Sequence, residues 1–143
     1  MKKYRGVFLK NEREIGLLRE ANRMVAMILD ELGRQVRPGL PTMHFEEIVQ
    51  NMCRECCSVN DVTVNGFPSE DVILKEGDIV SFDVGTVYEG FYGDAASTFA
   101  VGDVSPEAAR LLRVTEESLA LAVAEARSGN ELNDIAGAVQ KHA

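Results

Sequence analysis

Apolar residues recur at helical spacing from residue 12 to residue 34: Ile15, Leu18, Ala21, Met24-Val25, Ile28-Leu29 and Leu32. This i, i+3, i+4, i+7 stripe predicts an amphipathic helix. Asn11 can cap its start, and Glu12 and Glu14 suit the positive end of the helix dipole. Arg37-Pro38-Gly39-Leu40-Pro41 then breaks the chain. A second helix is predicted to open at Thr42, as its cap, and to bury Phe45, Ile48-Val49 and Met52. His44, in its first turn, reads as a solvated surface residue. Residues 57–65 alternate loosely, as a strand does, until Gly66-Phe67-Pro68-Ser69 ends the run.

A turn at Lys75-Glu76-Gly77-Asp78 leads into the β-prone run Ile79, Val80, Phe82, Val84, and Phe91 to Phe99 form another. Tyr88-Glu89-Gly90 supplies turn chemistry between them, which predicts an antiparallel hairpin. Ser105-Pro106-Glu107 starts a helix with a cap, a proline at the first helical position and an acid. That helix is expected to run to about Arg127 with Ala109, Leu112, Leu119 and Val123 inward, and Ser128-Gly129 to end it. Asn130 is expected to open a last helix carrying Leu132, Ile135-Ala136 and Val139. Helices grouped outside an antiparallel sheet indicate an α+β fold, here a single domain over residues 1–143 with helices on one face of the sheet.

If the hairpin is symmetric about Tyr88 and Glu89, Asp83 faces Asp94. Directly opposite residues share one face of a sheet, with Cβ atoms about 4.5–5.5 Å apart. Two carboxylates that close repel, so either one holds a proton at neutral pH or a cation sits between them. On spacing alone, each could instead be a strand-end residue bonded to turn amides, since Asp83 precedes Val84-Gly85 and Asp94 follows Gly93. Asp78, Asp103 and Glu89 read as turn, loop and hairpin-tip residues without a chemical role.

Composition narrows the picture. The 143 residues carry a formal charge of -8, which argues against a nucleic-acid or anionic-membrane binder. Met1-Lys2-Lys3-Tyr4-Arg5 is basic, but only Val7-Phe8-Leu9 follows it as an apolar run. That is shorter than a signal h-region, and a cytoplasmic protein is expected. Cys53, Cys56 and Cys57 lack a second cysteine pair or a His-x-x-His to complete a zinc site, and read as reduced, half-buried thiols at the end of a helix.

Val80-Ser-Phe-Asp83-Val-Gly followed by Gly90-Phe-Tyr-Gly-Asp94-Ala-Ala-Ser-Thr98 resembles the two-aspartate metal motif of type I methionine aminopeptidases. The resemblance extends through Ile15-Gly-Leu-Leu-Arg-Glu-Ala-Asn, Val36-Arg-Pro-Gly, Cys56-x-Ser-Val-Asn60, Gly66-Phe-Pro68 and Leu74-Lys-Glu-Gly-Asp78. It implies half of a pita-bread (creatinase/aminopeptidase-like) fold, two similar halves about a pseudo-twofold axis, and a reaction that removes the initiator methionine with two divalent cations. By the same resemblance Asp83 would be a bidentate ligand of one metal, and Asp94 would bridge both. Manganese, cobalt or iron ions suit such carboxylate donors. Cys56 would line the methionine side-chain pocket.

The chain also departs from the family pattern. Asn65 stands where the family has a histidine that binds substrate; asparagine can donate a hydrogen bond but cannot relay a proton. Between Glu55 and Cys56 the family has a further strand that walls the methionine pocket, and here it is missing. The remaining ligands, one histidine and two glutamates, belong to a second half that these residues do not contain; His142, Glu116, Glu117, Glu125 and Glu131 do not replace them. Two of five ligands imply weak metal binding and negligible peptidase activity for these residues alone. A twofold homodimer or a complementing C-terminal half would complete the site. A non-catalytic module that binds protein partners is the alternative; Asn65 and the shortened pocket suit it, and the two aspartates do not.

Overall fold

The computed structural model describes residues 2–49, 54–62 and 65–143, with the backbone alone for residues 2 and 54–56. The chain divides into two compact units, residues 1–103 and residues 104–143.

In the first unit, strands β1 (Lys2–Tyr4) and β2 (Val7–Leu9) form a small hairpin. Helix α1 (Glu12–Gln35) opens with a capping box: Asn11 Oδ1 accepts from the Glu14 amide and Glu14 Oε2 from the Asn11 amide, each at 2.9 Å. Two backbone donors at the helix start are thereby satisfied. Ala21, Val25, Ile28, Leu29 and Leu32 form its buried stripe, while Ile15 at its start remains exposed.

Helix α2 (Met43–Val49) buries Phe45 and Val49, with Ile48 packed against the core; Met52 lies outside the described residues. Thr42 does not cap α2 with its side chain as expected. Its buried hydroxyl turns to the Ser69 backbone, donating to the carbonyl at 3.1 Å and accepting from the amide at 2.9 Å. His44 is half-buried rather than solvated: Nε2 lies 3.0 Å from Gln35 Oε1, and the ring stands edge-on to Phe45.

Strands β3 (Arg54–Val59), β4 (Ile79–Tyr88) and β5 (Phe91–Ala100) form an antiparallel sheet in that order. β3 starts earlier and ends earlier than the sequence suggests, because Asn60 turns the chain with φ +53°. Residues 63 and 64, within the expected strand, lie outside the described residues. Along β4, Val80, Phe82, Val84 and Thr86 are buried, the period-2 alternation of a sheet covered on one face. They pack with α1, α2, Leu74 and Val101, and the Phe82 ring lies 4.8 Å from Phe45 and 5.9 Å from Phe99. Within this unit α1 and α2 cover that face, and the alternate residues of β4 look the other way.

The second unit pairs α3 (Pro106–Glu125) with α4 (Leu132–His142). Ser105 caps α3, accepting from the Ala108 amide at 3.1 Å, with Pro106 at the first helical position. Asn130 does not open α4 as expected: its amide turns back to the Glu125 carbonyl, and Glu131 occupies the cap position. Leu119 and Val123, expected inward, are each 64% exposed. α3 carries apolar residues on more than one side, and a helical period does not say which side a neighbour covers.

Candidate metal centre

The hairpin between β4 and β5 turns at Glu89-Gly90, both with positive φ, +47° and +80°. A two-residue turn of that kind matches the right-handed twist of its strands. It pairs Tyr88 with Phe91, and the register then sets Asp83 against Ala96 and Asp94 against Gly85. The aspartates are therefore diagonal neighbours, not direct opposites as expected. The correction moves the pairing by two residues, an even step, so both remain on one face. That face also holds Ser81 and Thr98, whose hydroxyl oxygens lie 2.8 Å apart, and it is the face that α1 and α2 leave open.

Both aspartates are exposed and lie mid-strand, which removes the reading of them as strand-end turn caps. Among the described residues neither carboxylate enters a hydrogen bond or an ion pair. Diagonal residues stand about 7–8 Å apart, still within reach of converging side chains. In water, charges at that separation repel weakly. Gly85 leaves open the space beside Asp94: a Cβ there would sit 4.0 Å from Asp94 Oδ2. Two exposed carboxylates with that clearance fit a hard divalent cation as part of its ligand set. Among the described residues no third histidine, cysteine, aspartate or glutamate joins them.

Cys56 pairs in register with Asp83 across β3 and β4; its side chain and residue Cys53 lie outside the described residues. Cys57 is fully buried within β3, not half-buried at a helix end. Asn65 is exposed with a left-handed φ of +57°. The residue after it is pressed onto β3. The Cys57 amide donates to the Gly66 carbonyl at 2.9 Å, and a Cβ at Gly66 would lie 2.2 Å from the Cys57 carbonyl oxygen. Asp78 accepts from the Lys75 amide and from Asn60, the turn role expected of it. His142 lies 2.8 Å from Glu117, a contact within the second unit.

Two side chains not singled out in the sequence touch the hairpin beside this pair. Thr86 places a hydroxyl in the otherwise apolar inward row of β4 and donates to the Ala21 carbonyl of α1 at 3.1 Å. Asn22 Oδ1 accepts from the Asp94 amide at 3.4 Å. A polar residue at an inward strand position is a readable signal for Thr86; Asn22, on an exposed part of a helix, carries none.

Residues 16–143 match the profile of metallopeptidase family M24, and the chain belongs to that family. It is 36% identical over 153 aligned positions to methionine aminopeptidase 1 of Bacillus subtilis and 34% identical to methionine aminopeptidase of Clostridium acetobutylicum. Each alignment covers 95% of this chain and 61% of the relative, so the chain spans about three-fifths of their length. The 153 aligned positions exceed the 143 residues present, so these relatives carry residues with no counterpart here. Methionine aminopeptidase from Thermotoga maritima superposes with a TM-score of 0.88 at 34% identity, covering 95% of this chain and 61% of that one. Escherichia coli aminopeptidase P, at 22% identity, gives 0.83 over 93% of this chain and 33% of its own, a likeness of fold alone. The α+β half of a pita-bread fold is thus the architecture present. Membership of a metallopeptidase family implies a divalent metal cofactor.

Proposed function

We propose that this chain forms the part of a methionine aminopeptidase-type metalloexopeptidase that presents two aspartates to its metals. Its substrates would be peptides with an N-terminal methionine. The observation that carries the reading is the placement of Asp83 and Asp94 on the open face of the sheet, in a chain about one-third identical to methionine aminopeptidases. Asp83 and Asp94 would hold the divalent cations; manganese, cobalt or iron would suit these oxygen donors. When bound, such a metal pair supplies an activated water and polarises the scissile carbonyl.

The other assignments follow the same reading. Asn65 donates a hydrogen bond toward the substrate and moves no proton. Cys56, beside Asp83 in register, lines the pocket for the methionine side chain. The remaining ligands would come from a complementing C-terminal half or from a second copy of this chain. Without them the 143 residues bind metal weakly and turn over methionyl peptides negligibly. A cytoplasmic location accords with this work on new chains, and among the described residues no helix is long and apolar enough to cross a membrane.

The test is a calorimetric titration of the metal-free chain with Mn²⁺ beside an Asp83→Asn/Asp94→Asn variant. Saturable binding that the variant abolishes supports the metal pair. Binding no better than the variant's background overturns it.

A further inference from the structure

Helix α1 makes three close polar or backbone contacts with the hairpin beside Asp94. Gly93, directly before Asp94, presses on α1 so closely that a Cβ there would lie 2.5 Å from both the carbonyl carbon and oxygen of Ala21. Thr86, which pairs with Gly93 across the hairpin, donates its buried hydroxyl to that same carbonyl at 3.1 Å. β5 is the outer strand of the sheet, and the Asp94 amide is met by Asn22 Oδ1 at 3.4 Å. Asn22 is held in turn, its Nδ2 donating to the Leu18 carbonyl one helical turn earlier at 2.8 Å.

The rest of the α1–sheet contact is apolar: Val25, Ile28, Leu29 and Leu32 against Val80, Phe82, Val84 and Phe99. The apolar driving force is non-directional and by itself sets the register only loosely. Hydrogen bonds are directional and do fix it. The Gly93 notch sets how near the Ala21-Asn22 peptide comes, and the two hydrogen bonds set where it sits along the strands. Asp94 is the next residue.

We propose that Asn22 and Thr86 are positioning residues, through which α1 sets the place of the Asp94 carboxylate and so the affinity of the aspartate pair for a divalent cation. The proposal rests on the metal-pair reading above. Neither residue touches the cation; each acts through the β5 backbone.

The experiment compares wild type, Asn22→Ala, Thr86→Val, Thr86→Ser and Asp83→Asn/Asp94→Asn in two measurements. Amide hydrogen exchange at Asp94 is followed in the metal-free protein by NMR, and Mn²⁺ affinity by electron paramagnetic resonance of the unbound ion. Asn22 is exposed and alanine favours helix, so the Asn22→Ala chain folds. The expected result is Asp94 exchange about fivefold faster in Asn22→Ala. Mn²⁺ affinity should fall about tenfold in Asn22→Ala and Thr86→Val, the scale seen when groups behind a ligand are removed. Thr86→Ser, which keeps the hydroxyl, should restore wild-type affinity. Unchanged Asp94 exchange in Asn22→Ala would overturn the proposal, as would Mn²⁺ affinities within twofold of wild type in both variants. If wild type binds Mn²⁺ no better than the double asparagine variant, the metal-pair reading falls and takes this inference with it. That outcome is distinct from a wild type that binds while its positioning variants bind equally well.

Discussion

Asp94 lies across the hairpin from Gly85, with Oδ2 resting over the space where a side chain at 85 would begin. A Cβ at Gly85 meets that oxygen at 4.0 Å, an ordinary van der Waals distance. Gly85→Ala is therefore accommodated without moving Asp94. A glycine inside a strand costs about 0.5–1 kcal/mol through its lost freedom, so the variant should be more stable by that amount. Urea denaturation measures the gain.

Gly93 answers the same substitution in the opposite direction. A Cβ there would lie 2.5 Å from backbone atoms of Ala21 and 2.8 Å from the Asn22 nitrogen. Backbone in mid-helix cannot give way as the end of a flexible side chain can. Gly93→Ala must push α1 off the hairpin, at about 1–3 kcal/mol as for other overpacked sites. The urea midpoint should fall with the slope of the transition unchanged.

The ring of Phe82 sits fully buried between Phe45 and Phe99. Truncating such a ring costs about 3–5 kcal/mol, a large share of the 5–15 kcal/mol that typically holds a domain of this kind. Phe82→Ala should lower the urea midpoint of the first unit by a large margin. Phe82→Leu should retain the fold with a lowered midpoint.

Much of this arrangement is legible in the amino-acid order. The stripe from Ala21 to Leu32, the Asn11 cap, the Ser105-Pro106 helix start and the two runs of the hairpin all carry local signals that the fold obeys. The two aspartates share one face of the hairpin as expected, though as diagonal neighbours rather than direct opposites. Apart from the hairpin turn, the failures share one cause, namely that a partner decides them. Whether a two-residue turn falls at Tyr88-Glu89 or at Glu89-Gly90 depends on which residues accept positive φ, and Glu89 accepts it here. Thr42 and Asn130 both look like caps, yet Ser69 and Glu125 claim their side chains. Leu119 and Val123 have the spacing of a buried stripe, and nothing in that spacing says whether a surface covers them. The Thr86 hydroxyl bonds to a residue 65 positions away, a distance at which local pattern says nothing.

Acid titration offers a separate check on α1. Glu31 is held below the usual carboxylate range, first by the side-chain hydrogen bond from Gln35 at 2.8 Å and then by Arg34. A carboxylate whose folded pKa is depressed stabilises the fold above its unfolded pKa, and that contribution is lost as pH falls through the folded value. Because Glu31 lies at the surface, its effect on stability is small. Gln35→Ala should raise the Glu31 midpoint toward the ordinary range, read from the side-chain carbonyl carbon by NMR. Arg34→Ala should raise it as well.

Metal addition separates the two ways in which Asp83 and Asp94 affect stability. In the metal-free chain the two carboxylates share one face without a partner among the described residues, so replacing both by asparagine removes a weak repulsion and should raise the melting midpoint slightly. An ion that binds only the folded chain adds stability by mass action, about 2.7 kcal/mol at a hundred times its dissociation constant. Wild type should then gain several degrees on Mn²⁺ addition and overtake the Asp83→Asn/Asp94→Asn variant, whose midpoint should not respond. The order of the two melting curves should therefore reverse as Mn²⁺ rises. Equal gains in both proteins would place the ion elsewhere on this acidic chain, while a reversal would assign the gain to these two carboxylates.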